Sequence, residues 1–96
     1  MKVFVVVYSR EADEHVIARF KKAGIRAYTK LEEVRGEGTD TEPKLGTHAW
    51  PGGNNVLFLA VPDEEIHVVT CIVHQLKEER PRAGVRCFVL PLEEYI

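Results

Sequence analysis

The sequence has too few cysteines, too even a charge balance and too short apolar runs for three common kinds of small protein. Its two cysteines, Cys71 and Cys87, make no disulfide framework, and reduced thiols in a cytoplasmic protein are the simpler expectation. The 13 basic and 15 acidic residues leave a net charge of −2, which argues against a nucleic-acid binder driven by backbone electrostatics. The apolar run 3–8 follows Met1-Lys2 directly, is too short and wrongly flanked for a signal peptide, and no window approaches a membrane span. There is no plausible Ser/His/Asp order, no paired-carboxylate cleft and no Walker sequence, so an enzyme is not expected. A single domain, 1–96, is the expected organisation. A chain of this length buries only about 60–65% of its unfolded surface, so association would help its modest core.

What is present alternates strand and helix patterns. VFVVVY (3–8) is β-branched and aromatic on both parities, as in a strand buried on both faces. Ser9 is placed to cap a helix whose stripe is Val16, Ile17, Phe20 and Ala23, with Gly24 ending it. Ile25 to Val34 mixes apolar and charged residues in the manner of an edge strand. VLFLAV (56–61) is again apolar on both parities. Pro62 breaks it, Asp63 is placed to cap, and Ile66, Val69, Val73 and Leu76 give a second helical stripe. VRCFVL (85–90) reads as the last strand. The order β-α-β-β-α-β predicts an α+β, ferredoxin-like sandwich: a four-stranded antiparallel sheet with two helices on one face. Three strands are apolar on both parities while helices cover one face only. The other face, carrying Phe4 or Val5, Leu57 or Phe58, and Val85 or Phe88, is therefore expected to be closed against other subunits.

Between the second and third strands lies a polar segment longer than strand pairing needs, and structureless loops beyond ~12–15 residues tend to be functional or disordered. Gly36 and Gly38 open it. They serve either as a loop exit with unusual dihedrals or as a close approach to a phosphate. Gly46 to Gly52 holds His48 and Trp50. Trp50 either pins the loop base to a neighbouring subunit or anchors a partner protein; His48 is a structural histidine, a metal ligand or a pH-sensitive contact. With little else to bury, the loop is expected to be mobile until a ligand or partner orders it. Near the end, ERPRAGVRCF (79–88) clusters Arg80, Arg82 and Arg86, either as a solvated basic turn at a helix C-terminus or as a phosphate site.

These segments carry a resemblance. EVRGEG (33–38) before the long loop, VLFLAVPDEE (56–65) after it and GVRCFVLP (84–91) near the end resemble the PII-like signalling proteins over almost the whole chain. The resemblance implies a homotrimer with its sheets facing inward and a non-enzymatic regulatory role. It further implies a small ligand in intersubunit clefts, and a protruding T-loop, here 36–55, that contacts a partner such as a membrane transporter. It assigns ligand binding to Gly36, Gly38, Arg82, Gly84 and Arg86, with Arg86 where the family has a phosphate-contacting Lys and only Gly84 left of a glycine-rich stretch. Asp40, His48 and Trp50 would lie on the partner-binding loop. Asp40 stands where the family has a Gln that helps hold magnesium and 2-oxoglutarate, Asn54 replaces a Lys, and Glu93 and Glu94 stand where the family carries Arg. The loop also lacks the tyrosine that the family uridylylates. The ligand expected is then AMP, ADP or another anion rather than ATP with 2-oxoglutarate.

One further constellation supports a second reading, a CutA-like metal-binding trimer. His67, Cys71 and His74 project within about 60° of one another on the second helix, roughly opposite its core stripe. Imidazole and thiolate suit a soft or borderline ion, although His67 and His74 stand ~10 Å apart along the axis and all three cannot easily share one ion. Solvated polar residues around a small cysteine are the plainer alternative.

Overall fold

A computed structural model describes residues 1–36 and 53–96. Strand β1 (Lys2–Ser9) leads through a 3-10 turn (Arg10–Ala12) into helix α1 (Asp13–Lys22). Strands β2 (Thr29–Val34) and β3 (Asn54–Val61) follow. Pro62 and a 3-10 turn (Asp63–Glu65) then lead into helix α2 (Ile66–Glu79). A last 3-10 turn (Pro81–Ala83) precedes strand β4 (Arg86–Pro91). The strands lie in the order β2-β3-β1-β4 with every neighbouring pair antiparallel. This is the split βαβ arrangement that the alternation of patterns predicts.

Register decides which parity faces the helices. Phe4 pairs with Leu59, Val6 with Leu57 and with Cys87. Phe4, Val6, Tyr8, Leu57, Leu59 and Val61 are buried in one cluster with Val16 and Phe20 of α1 and Val69, Ile72, Val73 and Leu76 of α2. Ile72 joins the α2 stripe read from the sequence, whereas Ala23 at the end of α1 is exposed. Ile25 is buried in this core and lies before β2 rather than within it, so the extended edge strand is shorter than its apolar pattern suggests. The two expected side-chain caps do not form. Ser9 bonds the Glu11 carboxylate instead, and Asp63 takes the N-terminal ammonium of Met1.

The opposite parity makes the uncovered face. Phe58 lies between Thr29 and Val5, and Val5 in turn pairs with Phe88, so one row crosses all four strands. Leu31, Phe58, Phe88 and Leu90 are 48%, 40%, 56% and 50% exposed. Residues of this size exposed together on one face make an apolar patch of the kind that marks an association surface.

β2 is not regular. Leu31 faces Val56 and Val34 faces Asn54, so β2 holds one more residue than β3 across that interval, a bulge. Glu33 sits there in the left-handed region, with φ 56°. Its backbone N–H donates to Asn55 Oδ1 at 3.3 Å, and its carboxylate lies 3.5 Å from the Arg10 guanidinium. A β-branched side chain fits this conformation poorly, while asparagine tolerates it. Glu33→Val is therefore expected to be about 1–2 kcal/mol less stable than Glu33→Asn, two variants that both lack the ion pair. Urea midpoints at equal protein concentration check this, and equal midpoints would show that the bulge has relaxed.

Candidate functional site

Antiparallel pairing brings four chain ends to one end of the sheet: the close of β1, the close of β2, the start of β3 and the start of β4. The β1–α1 junction, both described ends of the long loop and the turn after α2 therefore share that end. Arg10 ties two of them, its N–H donating to the Gly53 carbonyl at 3.0 Å. Gly36 lies beside Asn54, whose Nδ2 would be 3.4 Å from a Cβ at that position.

The turn after α2 is built tightly. The Arg80 N–H closes the helix on the Leu76 carbonyl at 2.9 Å, and the Ala83 N–H bonds the Arg80 carbonyl at 3.0 Å. Pro81 suits the first position of the 3-10 turn because no N–H is needed there. Gly84 then takes φ 63°, ψ 35°, the left-handed conformation that a glycine adopts without cost, and turns the chain into β4. Val85 is buried beneath it.

Between this turn and the β1–α1 junction lies a cavity of about 460 Å³, lined by Ser9, Glu11, Ala12 and residues 79–83. Its carboxylates are already engaged. Glu79 Oε1 lies 2.8 Å from His15 Nε2 and 3.3 Å from Arg19 Nε. The His15 hydrogen bond, with the charges of Arg19, His15 and Arg80, holds the Glu79 carboxyl below its ordinary range. Glu11 meets Ser9 and lies 3.8 Å from Arg10. The guanidinium groups of Arg80 and Arg82, by contrast, make no hydrogen bond or ion pair among the described residues. Two free guanidinium groups beside satisfied carboxylates leave the cavity able to take an anion.

The structure thus brings Arg82 into a cavity with Arg80, a grouping that the charge cluster in the sequence signals. Ser9, Ala12 and Glu79 line the same space, and no local pattern marks them, because the junction that brings them there is a tertiary one. Arg86 goes elsewhere. It pairs with Val7, so its side chain belongs to the uncovered face, and its Nε is buried without a hydrogen-bond partner among the described residues. Gly36, on the far side of β3 and β1 from β4, is three strand spacings away, about 14 Å. Gly36 and Arg86 of one chain therefore share an end of the sheet but not a single contact point. Gly38, Asp40, His48 and Trp50, with the loop mobility expected of that segment, lie outside the described residues.

On α2, His67 and His74 are exposed and Cys71 half-buried. Cys71 Sγ lies 3.6 Å from His67 Nε2. Among the described residues no group of three or more His, Cys, Asp or Glu is placed to hold one metal ion. Cys87 has another environment: burial against the helices pushes its thiol up to about 11, which keeps it protonated and unreactive. No helix among the described residues is long and apolar enough to cross a membrane.

The fold is thus a ferredoxin-like sandwich with one apolar face open, and with both described ends of its long loop and an arginine-bearing turn at one end of the sheet. The chain belongs to the nitrogen regulatory protein P-II family, whose model matches residues 1–96. Among solved structures it is similar to CPII, a PII-like protein from Thiomonas intermedia K12. One CPII structure, bound to ADP and bicarbonate, is 18% identical with a TM-score of 0.67, over 92% of this chain and 81% of that one. A second, at 2.3 Å and bound to ADP, AMP and bicarbonate, is 16% identical with a TM-score of 0.66, over 93% and 88%. A third with the same ligands is 16% identical with a TM-score of 0.67, over 99% and 94%. These likenesses establish the fold. Among curated proteins none matches the chain by sequence.

Proposed function

We propose that this chain acts as a PII-like regulatory homotrimer. It binds an adenine nucleotide, AMP or ADP, at the subunit boundary and signals to a partner through the loop 36–55. A membrane transporter is the class of partner that the resemblance implies.

The observation that carries this reading is Arg86. A guanidinium Nε buried without a partner is costly unless something completes it. This one lies at the edge of the face that association would cover, one residue beyond Val85 and the glycine turn. A neighbouring subunit can bring its own loop-base glycines to that edge, which answers the three-strand gap between Gly36 and Arg86 within one chain. A nucleotide phosphate would complete Arg86 there, and the cavity holding Arg80 and Arg82 offers further positive charge at the same end. Bicarbonate, present with the nucleotides in the CPII structures, is a second anion of suitable size and charge.

Calorimetry on the purified protein tests this. AMP or ADP is expected to bind, and more readily than ATP with 2-oxoglutarate, because Asp40 and Asn54 replace the Gln and Lys that the larger ligand pair uses in the family. Arg86→Ala should weaken binding about 10- to 100-fold, the loss of one charge-assisted contact of ~1.5–3 kcal/mol. Arg82→Ala separates the two anion positions: a larger loss there than at Arg86 would move the phosphate into the cavity. No heat with any adenine nucleotide at millimolar concentration would overturn the nucleotide reading.

A further inference from the structure

We infer that His67 and Cys71 form a two-point chelate for a borderline or soft metal ion on the exposed face of α2, independent of the nucleotide site. The pair stands one helical turn apart, so both side chains rise from the same face. The opposite face, Val69, Ile72, Val73 and Leu76, is buried in the core and fixes the helix. The two ligands are therefore presented on a frame that already exists without metal, and little ordering entropy opposes coordination.

The distance is what singles this pair out. A tetrahedral ion with bonds of about 2.3 Å to sulfur and about 2.0–2.1 Å to imidazole nitrogen spans about 3.6 Å between its two donors. Cys71 Sγ and His67 Nε2 lie 3.6 Å apart. The donors are thus separated by about the bite of such an ion. His74, three residues beyond Cys71, makes no hydrogen bond to it and is not needed. Gln75, which continues the same face, already accepts from Arg19. Two protein donors do not fill a tetrahedral shell, so water, a small thiol or another protein chain supplies the rest. That makes the site one for an exchangeable ion rather than a closed structural one.

The chemistry selects the ion. A thiolate with an imidazole favours Zn(II), Co(II) or Cu(I) over the hard Mg(II) and Ca(II), which prefer oxygen. On binding, the Cys71 thiol gives its proton to solvent, the sulfur lone pair forms the bond to the metal, and the metal keeps its oxidation state throughout.

Co(II) titration of the reduced protein is the direct test, because thiolate coordination gives a charge-transfer absorption in the near ultraviolet that imidazole or carboxylate ligation does not. Wild type is expected to show this band with saturation at one ion per chain, and Zn(II) should displace it. Cys71→Ser should abolish the band, and His67→Ala should weaken binding by about tenfold or more, the worth of at least 1.4 kcal/mol. Both residues lie on a solvent-facing side of the helix, so circular dichroism is expected to show all variants folded. His74→Ala should leave band and affinity unchanged. A band that survives His67→Ala at full affinity, or that is lost in His74→Ala, would overturn the proposed pair. Absence of any thiolate band in wild type would leave the 3.6 Å contact as a hydrogen bond between two surface groups. Nucleotide binding is expected to be the same in all of these variants, so failure of the metal site and failure of the nucleotide site are read separately.

Discussion

Phe58→Asp is expected to run as a monomer, and the wild-type chain under the same conditions as a trimer. Phe58 sits near the middle of the uncovered face, between Thr29 and Val5 and one strand from Phe88. If that face closes against other subunits, the substitution places a carboxylate in a dry interface with no basic partner in its row. Burying an unpaired charge costs several kcal/mol, and every 1.4 kcal/mol is about a tenfold change in an association constant. Light scattering at micromolar concentration should give about three chain masses for wild type and one for the variant. Lys21→Asp changes the charge by two units, against one for Phe58→Asp, but on an exposed position of α1, and should leave the trimer intact. A trimeric Phe58→Asp would place the subunit contact on another surface, and a monomeric wild type would remove both the trimer and the intersubunit ligand site.

The second large effect is expected in the core. Tyr8 is fully buried, and its hydroxyl donates to Asp13 Oδ1 at 2.6 Å, while Lys30 Nζ reaches Asp13 Oδ2 at 3.0 Å. The three residues join β1, α1 and β2. Burial, then the bond to Asp13, pushes the Tyr8 hydroxyl far up, so it stays a donor. Tyr8→Phe keeps the ring but removes this donor and leaves a carboxylate oxygen short of a partner. The expected loss is about 1.5–3 kcal/mol, read as a lower urea midpoint at fixed protein concentration. A change within about 0.5 kcal/mol would mean that water replaces the hydroxyl and that the bond contributes little.

The same network sets a pH dependence. Burial by itself would raise the Asp13 carboxyl. Hydrogen bonds from Tyr8, Lys30 and Asn55, with the Lys30 charge, outweigh it and hold the group below its ordinary value. Asp13 is therefore more acidic folded than unfolded. Its contribution is fully present above the unfolded value of about 3.9 and is lost as pH falls through the folded one. Lys30 has the opposite sign. Its hydrogen bond to Asp13 raises it, so its contribution is present below the unfolded value of about 10.4 and is lost as pH rises through the folded one. Asp13→Asn should flatten both limbs of the stability profile. Asp63 and Glu79, also held low, will retain part of the acid limb.

The element order was legible in the sequence because each strand and helix carries its own period, and so was the open face. Strands apolar on both parities can be covered by two helices on one side only, and register then selects Val5, Phe58 and Phe88 from the pairs the sequence left open. What the sequence hid is long-range polar pairing. Lys30 to Asp13 spans 17 residues and Glu33 to Asn55 spans 22, and no local pattern marks either. Ser9 and Asp63 look like caps because short polar side chains before a helix usually are. Here a neighbouring carboxylate and the chain's own ammonium compete for them. The arginine cluster was readable as chemistry but not as geometry. The same three residues part ways, Arg80 and Arg82 into the cavity and Arg86 onto the open face, because a turn and then a strand position divide them.

Arg10 gives the molecule a modular character. Its backbone N–H holds Gly53 and its guanidinium reaches Glu33, so one residue clasps both described ends of the long loop from the frame side. Gly53 in turn lies against Glu33 and Val34, where an added Cβ would meet the Glu33 Cα at 3.6 Å. With the two ends clasped, the intervening segment is a cartridge. Doubling the length of a closed loop costs only about 0.6 kcal/mol, so a foreign segment could be transplanted between these ends with little effect on the frame. The sandwich would then serve as a chassis on which the output segment is exchanged without rebuilding the frame.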